Sequence, residues 1–252
     1  MSWCGIEEKT DAIVVGARGG IGEAFVHALS ETASIDHIFA LSRNASWCSE
    51  KHTAEKCSRV QVDILDEDTL SKFSAFLESR GSQPRFIINC SGLLHTEDSG
   101  PERRLSEIDL DFIRQVFDVN TLGVALLLKH LSPRLPRRGR SIFATLSARV
   151  GSIADNRLGG WYSYRASKAA QNMLVKTASI ELARKYPDLT LAALHPGTVD
   201  SALSAPFTQR LRPEHRVFSP KESCALLIKV LTNLKPKDSG AHFAWDGASI
   251  PW

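Results

Sequence analysis

Residues 11–29 read DAIVVGARGGIGEAFVHAL, and this stretch decides the fold. Residues 11–16 are apolar after Asp11 and predict a short buried strand, and residues 23–29 predict a helix. The turn between them carries the spacing G-x-x-x-G-x-G, formed by Gly16, Gly20 and Gly22. Glycines let the backbone approach a pyrophosphate, and free N–H groups at a helix N-terminus favour its charge. The turn is either a tight connection or a phosphate-binding loop, and its place directly after the first strand favours the second reading.

Strand and helix patterns alternate along the rest of the chain. Further strands are predicted at 37–41, 59–63, 85–89, 141–146, 190–195 and 241–245. Helices are predicted at 67–79, 110–131, from around Tyr164 to about residue 185, and 222–234, whereas 44–57 fits a loop or a poor helix. This alternation predicts an α/β fold. We expect a single Rossmann-like domain over residues 1–252, with a doubly wound, mostly parallel seven-stranded sheet and helices on both faces.

Composition excludes several classes of protein. The chain has 252 residues, 43% of them hydrophobic, and a net charge of +3, which suits one large domain without a strong preference for nucleic acid or membrane. No apolar run reaches about 18 residues, and the first residues lack a signal-peptide pattern. The five cysteines are an odd number without metal-ligand spacing. We therefore expect a cytoplasmic protein that binds no metal, nucleic acid or membrane.

The ends of the predicted strands carry candidate ligand-binding residues, because ligands of such sheets bind beyond the C-terminal strand ends. The second strand ends in Ser42 and Arg43, and Arg18 stands in the glycine turn. An acid at this point would suit the ribose 2′-hydroxyl of NAD(H), whereas two guanidinium groups suit a 2′-phosphate. The alternative is that either arginine is only a solvated surface residue. The pattern favours NADP(H) over NAD(H). Asp63, after the third strand, fits either an adenine contact or a helix-cap or loop contact.

The segment Trp161-Tyr-Ser-Tyr-Arg-Ala-Ser-Lys168 places Tyr164 and Lys168 four residues apart on a predicted helix. Side chains at this spacing share one helix face. A nearby cation lowers the pKa of a phenol, which would let Tyr164 exchange protons near neutral pH. The alternative is an ordinary Tyr and Lys on an amphipathic helix. Asn120, amid apolar residues of another predicted helix, is either a core amide or a functional one.

Together these motifs resemble the short-chain dehydrogenase/reductase family, in the family's order and over nearly the whole chain. The glycine motif, Asn89-Cys90-Ser91-Gly92, Asn120, the Tyr164–Lys168 pair and Pro196-Gly197 carry the resemblance. The segments around Ser147, Trp161 and the C-terminal Trp-Asp-Gly-Ala-Ser-Ile-Pro-Trp are similar to the branch that contains C-factor and sniffer-like carbonyl reductases. Three positions depart from the family pattern: Val15, Cys90 and Ala148, the last of which stands where the family has its catalytic Ser.

The resemblance implies hydride transfer between a nicotinamide and a carbonyl or alcohol carbon. Tyr164 would exchange the proton, and Lys168 would hold the ribose and lower the pKa of Tyr164. Asn120 would hold a relay water, and Ser147 would replace the missing Ser at the carbonyl oxygen. The implied cofactor contacts are Gly16, Arg18, Gly20, Ile21, Gly22, Ser42, Arg43, Asp63, Ile64, Asn89, Ser91, Gly92, Tyr164, Lys168, Pro196, Gly197, Val199 and Ser201.

The resulting prediction is an NADPH-dependent carbonyl reductase or alcohol dehydrogenase acting on a small carbonyl or alcohol compound. The alternative is a C-factor-like nucleotide-binding regulatory or signalling protein with little turnover, which Ala148 motivates. Residues 201–212 are expected to form a mobile lid over the substrate. The resemblance also implies a homodimer or homotetramer built through the helices that carry Asn120 and Tyr164.

Overall fold

The computed structural model describes residues 3–50, 55–208 and 216–252. Its strands are β1 (Thr10–Val15), β2 (Ile35–Ser42), β3 (Cys57–Gln61), β4 (Phe86–Asn89), β5 (Ser141–Leu146), β6 (Leu189–His195), β7 (Thr198–Val199), β8 (Val217–Phe218) and β9 (Ala241–Ala244). Within the described residues, seven strands form one sheet in the order β3-β2-β1-β4-β5-β6-β9, and β7 pairs with β8. Every neighbouring pair of the large sheet is parallel. The predicted seven-stranded sheet is thus confirmed, and it is parallel throughout.

The helices are α1 (Gly20–Ser30), α2 (Ala45–Ser49), α3 (Glu67–Ser79), α4 (Leu110–Phe117), α5 (Gly123–Leu131), α6 (Tyr162–Ala183), α7 (Ala205–Thr208) and α8 (Pro220–Asn233). The helix predicted at 110–131 is interrupted, because residues 118–122 between α4 and α5 form a π-helical turn. The short α2 lies in the segment predicted as a loop or poor helix, of which residues 51–54 lie outside the described residues. Of the predicted lid, residues 209–212 also lie outside them, and α7 occupies the described part.

Helices cover both faces of the sheet, as predicted. On one face, Phe25 of α1 and Leu227 of α8 pack in a cluster that includes Ala144 of β5. On the other face, Phe73 of α3 belongs to a cluster with Phe143, the neighbour of Ala144 on the same strand. Successive side chains of a strand point to opposite faces, so a strand buried on both sides reads as a continuous apolar run.

The parallel arrangement brings the C-terminal ends of the strands to one edge. Gly16 follows β1, Asn89 ends β4, Ser147 follows β5 and Pro196 follows β6. The sequence predicted that these four residues share an edge, and the sheet order confirms it. Within the described residues, no helix is long and apolar enough to cross a membrane.

Two histidines, the buried His242 and the half-buried His195, lie where β6 and β9 pair. His242 lies opposite Ala193, two residues before His195, and its ring stacks on Trp252 with the ring centroids 6.0 Å apart. Neither ring nitrogen of His242, nor Nδ1 of His195, has a hydrogen-bond partner among the described residues. Burial lowers the pKa of His195 to about 4 and that of His242 to about 3. Both rings are therefore neutral in the folded protein at neutral pH.

The lowered pKa values of His195 and His242 predict that the folded protein loses stability in mild acid. The histidine pKa is lower in the folded chain than in the unfolded chain, so the unfolded chain binds more protons between pH 6.5 and about 4, and stability falls as the pH falls through that window. His242→Phe keeps a ring against Trp252 and removes one such group. We expect it to raise the free energy of unfolding by about 2 kcal/mol at pH 5 relative to the wild type. Urea unfolding from pH 4.5 to 8 measures this.

The control is Ile250→Val, because Ile250 is buried, its backbone N–H donates to the backbone oxygen of His242 at 2.8 Å, and its side chain does not titrate. It should leave the pH dependence of unfolding as in the wild type. A His242→Phe protein whose stability falls as steeply in acid as that of the wild type would contradict the prediction.

Candidate active site

The glycine loop leaves an open cradle at the N-terminus of α1. Gly16 has a φ of +72°, and a Cβ placed on it would lie 2.9 Å from the backbone nitrogen of Ser91. A Cβ on Gly22 would lie 2.9 Å from the Cα atom of Ala17, so both positions exclude a side chain. Gly19, the N-cap residue, supplies no side-chain hydrogen bond to α1. The first N–H groups of the helix thus lack a side-chain acceptor from their cap, which suits an anion.

The two predicted phosphate-binding arginines lie at this same edge. Arg18 and Arg43 are exposed, and neither forms an ion pair with a described residue. Ser42 ends β2, and its hydroxyl accepts a hydrogen bond from the backbone N–H of Asn44 at 3.2 Å. The arginine charges are therefore available to a ligand at the end of β2.

Beyond β3, Asp63 and Ile64 follow the strand that neighbours β2. One carboxylate oxygen of Asp63 accepts from the backbone N–H of Leu65 at 3.0 Å, which is a local loop contact. Ile64 is buried, and its side chain lies 2.6 Å from where a Cβ of Gly123 would stand. The side chain of Ile64 therefore serves the packing of α5, and only its backbone is left for a cofactor contact.

A buried polar network begins at the end of β4. Asn89 donates from Nδ2 to the hydroxyl of Thr145 at 3.1 Å. Its Oδ1 accepts from the backbone N–H of Ser91 at 3.0 Å and from the Ser91 hydroxyl at 2.6 Å. These bonds hold the turn that faces the glycine loop, because the backbone of Ser91 is the group that Gly16 approaches.

Asn120 lies in the π-helical turn between α4 and α5 and is fully buried. Its side chain exchanges two hydrogen bonds of 2.8 Å with the backbone of Leu93 and donates a third to the hydroxyl of Ser167 at 3.1 Å. A Cβ on Gly92 would lie 3.5 Å from Oδ1 of Asn120 and 3.8 Å from Nζ of Lys168. The structure therefore brings Asn120, Gly92 and Lys168 together, and the π turn is the local feature that turns Asn120 towards them. Single π turns of this kind are frequent at functional sites.

Tyr164 and Lys168 are both buried on α6. The Lys168 ammonium donates to the backbone oxygen of Leu146 at 2.9 Å and to Oε1 of Gln171 at 2.8 Å, and it lies 5.8 Å from the centroid of the Tyr164 ring. Burial lowers the pKa of Lys168 to about 7. No described residue forms a hydrogen bond with the Tyr164 phenol, which is thus free for a ligand.

The pKa of Tyr164 differs from the expectation. The sequence predicted that Lys168 would lower it, but burial raises the pKa of Tyr164 instead. Desolvation disfavours the phenolate more strongly than the ammonium, which donates its hydrogen bonds elsewhere, favours it. The protein alone therefore presents a neutral phenol, which is a proton donor.

Ser147 does not point at this pair. It is buried, and its hydroxyl donates to Oδ1 of Asn172 at 2.7 Å. The next residue, Ala148, packs in the cluster that contains Tyr164. Since successive side chains alternate in direction along an extended segment, the site receives a methyl group where the sequence reading expected the hydroxyl of Ser147. The structure gives that assignment of Ser147 no support.

An aromatic wall, formed by Trp161, Phe207 and His95, surrounds the Tyr164 ring. Trp161 meets Tyr164 edge-on at 6.2 Å between centroids and lies 5.2 Å from Phe207 of α7. His95 contacts Phe207 at 5.8 Å, and its Nε2 lies 3.1 Å from the backbone oxygen of Ala202. The part of the predicted lid that the structure describes thus packs on Trp161 and His95 through Phe207.

The segment after β6 closes the site opposite the glycine loop. The backbone oxygen of Pro196 accepts from the hydroxyl of Ser223 at 2.8 Å, and Gly197 has a φ of +80°. A Cβ on Gly197 would lie 2.7 Å from the Phe218 ring. Val199 is buried in β7, and the hydroxyl of Ser201 lies 3.1 Å from that of Ser204. This segment is therefore held by the start of α8 and by Phe218.

Glu102 is a site residue that sequence reasoning missed. It is 2% exposed, although it is a carboxylate remote from α6 in the chain. Its side chain accepts from the backbone N–H of Ser163 at 3.0 Å and from the Ser163 hydroxyl, and its backbone oxygen accepts from the N–H of Trp161. Trp161, the N-cap of α6, has a left-handed φ of 55° and gives no side-chain cap. Glu102 supplies the missing cap to the helix that carries Tyr164.

A parallel, doubly wound sheet with a glycine loop after β1 and a Tyr–Lys pair beyond β5 defines a nucleotide-binding α/β protein. The pattern of a family described as short chain dehydrogenase matches residues 10–212. The chain therefore belongs to the short-chain dehydrogenase family, as its motifs predicted, and it is an oxidoreductase of that family.

Three known proteins illustrate the relationship. The 1-hydroxy-2-glutathionyl-2-methyl-3-butene dehydrogenase of Rhodococcus sp. is 30% identical over 240 residues, which cover 95% of this chain and 98% of the relative. The C-signal protein of Myxococcus xanthus is 30% identical over 166 residues, covering 66% of this chain and 91% of the relative. Carbonyl reductase from chicken fatty liver, solved with NADPH bound, superposes with a TM-score of 0.83 at 27% identity, covering 98% and 96% of the two chains.

The cap of α6 generates a prediction. Glu102→Ala leaves the buried N–H of Ser163 without its acceptor, and loss of such a cap costs about 1–2 kcal/mol of unfolding free energy. Since the first turn of α6 carries Tyr164, turnover should fall as well. Urea denaturation and steady-state kinetics measure the two effects. Glu107→Ala is the control, because Glu107 is exposed and bonds only within its own turn to Arg103 and Arg104, and it should change neither quantity appreciably.

An outcome in which Glu102→Ala and Glu107→Ala unfold alike would show that the buried carboxylate does not stabilise the helix start. A stable Glu102→Ala protein with reduced turnover would still support the positioning of Tyr164 through this cap.

Proposed function

We propose that the protein is an NADPH-dependent carbonyl reductase or alcohol dehydrogenase. The observation that carries the proposal is a buried Tyr164 phenol that forms no hydrogen bond with a described residue and whose ring centroid lies 5.8 Å from the Lys168 ammonium. Both stand at the sheet edge that holds the glycine loop. A phenol beside a cation at such an edge is suited to proton transfer to or from a carbonyl oxygen.

The residues present fit a nicotinamide dinucleotide. Gly16 and Gly22 exclude side chains from the cradle, the start of α1 offers N–H groups without a side-chain cap, and Arg18 and Arg43 form no ion pair with the part of the chain that the structure describes. When bound, the cofactor would supply the hydride. The NADPH held by the chicken enzyme supports NADP(H) as the cofactor of this chain, and its preference over NAD(H) stays a prediction.

The chain's own residues supply the proton and the placement. Tyr164 would donate its phenolic proton to the carbonyl oxygen during reduction, and Lys168 keeps one N–H free beyond its two hydrogen bonds for a ribose hydroxyl. Asn120 and Gly92 flank that ammonium. The raised pKa of Tyr164 keeps its proton in place at neutral pH, and the protonated phenol is the form that carbonyl reduction requires.

Ala148 bears on the turnover rate of the proposed reaction. No hydroxyl at this position would assist Tyr164 in polarising the carbonyl, and Ser147 is occupied by Asn172. We therefore propose slower turnover than a Ser at residue 148 would give. The same observation, with the likeness to C-signal, motivates the regulatory alternative.

The aromatic wall indicates the substrate class. Trp161, Phe207 and the methyl group of Ala148 surround Tyr164 with apolar surface. An aromatic or apolar aldehyde, ketone or quinone fits such a wall better than a charged compound does. The Rhodococcus relative is named for an alcohol that bears a glutathionyl group, so a glutathionyl alcohol belongs in the substrate screen as well.

Assembly and location also stay proposals. Leu122, Met173 and Ile180 are 53%, 65% and 57% exposed, which supports a homodimer or homotetramer formed through α5 and α6. The five free cysteines support the cytoplasm as the location. A single domain spanning residues 1–252 remains our expectation.

The cofactor preference can be tested on one arginine. Arg43→Ala should weaken NADPH binding by about 10- to 100-fold, because a hydrogen-bonded charge on the 2′-phosphate is lost, while NADH binding stays unchanged. Fluorescence titration with both dinucleotides measures this. Arg137→Ala, an exposed arginine shortly before the N-terminal end of β5, is the control. An equal loss for both dinucleotides would mean that Arg43 does not read the 2′-phosphate.

The chemistry can be tested on two residues of the site. Tyr164→Phe should bind NADPH as the wild type does and lose at least about 100-fold in turnover. Ala148→Ser adds a hydroxyl beside Tyr164 and should raise kcat by about 10-fold or more. NADPH consumption with aromatic aldehydes, ketones and quinones, and NADP⁺ reduction with a glutathionyl alcohol, measure these effects. Tight NADPH binding without turnover of any compound, in Ala148→Ser as well, would favour the regulatory alternative.

A further inference from the structure

Gln171 is a fully buried amide on α6, one turn beyond Lys168 and two turns beyond Tyr164. Its Oε1 accepts from the Lys168 ammonium at 2.8 Å. Its Nε2 donates to the hydroxyl of Thr145 at 2.9 Å and to the backbone oxygen of Leu146 at 3.1 Å. All the polar atoms of this side chain are therefore paired with β5 or with Lys168.

The orientation of the amide follows from its neighbours. An ammonium only donates hydrogen bonds, and a backbone carbonyl only accepts them. The atom of Gln171 that faces Lys168 must therefore be the oxygen, and the atom that faces Leu146 must be the nitrogen. A flipped amide would place N–H groups against the ammonium and lose both contacts.

The network continues from Gln171 to the cofactor side of the sheet. The Thr145 hydroxyl also accepts from Asn89, and Asn89 holds the backbone N–H and the hydroxyl of Ser91. Gly16 of the glycine loop packs on the backbone of Ser91. A continuous path of hydrogen bonds thus runs from Ser91, on which the glycine loop packs, through Asn89, Thr145 and Gln171 to Lys168.

The position of the Lys168 ammonium depends on these hydrogen bonds. Of its three N–H groups, one is held by Leu146 and one by Gln171, which leaves a third for the cleft. The lysine side chain has four rotatable bonds, so with one acceptor alone the ammonium could occupy several positions. We propose that Gln171 is a positioning residue that anchors the Lys168 ammonium beside Tyr164 and ties it to the Asn89 turn.

Protonation of Lys168 should respond to this anchor. A hydrogen bond to the charged form favours that form, so removal of the Gln171 acceptor should lower the pKa of Lys168 below about 7. The titratable and charged groups around the ammonium are Tyr164 on the same helix and, further away, His242 on β9 and Arg149 in the turn on which α6 packs. Each of these stays in place when Gln171 is changed.

The test is an NMR titration of the full chain labelled with ¹³Cε-lysine, without cofactor. The Lys168 signal is the one that is missing from the Lys168→Arg spectrum. In Gln171→Leu the midpoint should fall by about 1 pH unit, and in Gln171→Glu it should rise by about 1 unit or more, because a carboxylate replaces the amide. Gln171→Glu has nearly the shape of the native side chain, so it keeps the test available if Gln171→Leu does not fold.

Asn172→Leu is the matched control. Asn172 is also a buried amide, next to Gln171 on α6, but it bonds to Ser147 and not to Lys168. A merely structural role of buried amides would affect both variants alike, whereas the anchor predicts an unchanged Lys168 midpoint in Asn172→Leu. An unchanged midpoint in both Gln171 variants would overturn the inference.

The kinetic arm of this inference rests on the proposed carbonyl reduction. With a substrate in hand, the pH profile of kcat should move with the Lys168 midpoint in the Gln171 variants, and Gln171→Glu should retain more turnover than Gln171→Leu at neutral pH. If the protein reduces no substrate, the NMR titration still decides the anchoring of Lys168. Failure of the proposed function and failure of the inference are thus distinguishable.

Discussion

Burial of the Lys168 ammonium at the C-terminal edge of the sheet is the constraint on which the rest of the site depends. Removing such a charge from water costs several kcal/mol unless its donors find acceptors. Leu146 and Gln171 supply two acceptors, and desolvation still lowers the pKa of Lys168 to about 7. Thr145 and Asn89, which pair with each other at the ends of two mostly apolar strands, connect to the ammonium through Gln171. The polar residues of the edge form one network because each is hydrogen-bonded to the next.

Tyr164 stands between this polar network and an apolar wall. Lys168 and Gly92 lie on one side of it, and Trp161 and Ala148 lie on the other. The apolar side excludes water and raises the pKa of the phenol, while the polar side holds the cation that would stabilise a phenolate. In the protein alone, desolvation prevails. A positively charged or hydrogen-bonding ligand in the cleft would shift that balance, so proton transfer is coupled to occupancy of the cleft.

The sequence predicted the parts of this arrangement that depend on local pattern. Alternating strands and helices determine a parallel sheet, and a parallel sheet determines that Gly16, Asn89 and Pro196 share an edge. The direction of the Ser147 side chain could not be predicted in this way, because a one-residue shift at a strand end reverses it, and only the bond to Asn172 shows which way the hydroxyl points. The interruption of the helix at Asn120 depends on contacts with Leu93 and Ser167, which are distant in sequence and leave no local signal.

The cap that Glu102 provides at the start of α6 could not be predicted from local sequence either. Helix starts are usually stabilised by a capping side chain within the same turn, whereas Glu102 is distant from α6 in sequence. Trp161 occupies that position in a left-handed conformation, which a bulky residue adopts only when its surroundings enforce it. Here the enforcement comes from the backbone and carboxylate of Glu102 and from the packing of Trp161 on Phe207. The position of Tyr164 is therefore set from outside its own helix, by the segments that carry Glu102 and Phe207. Under the proposed function, a compound that displaces Phe207 would act on Trp161 and, through it, on the first turn of α6, so the shape of the substrate would affect the placement of the Tyr164 phenol.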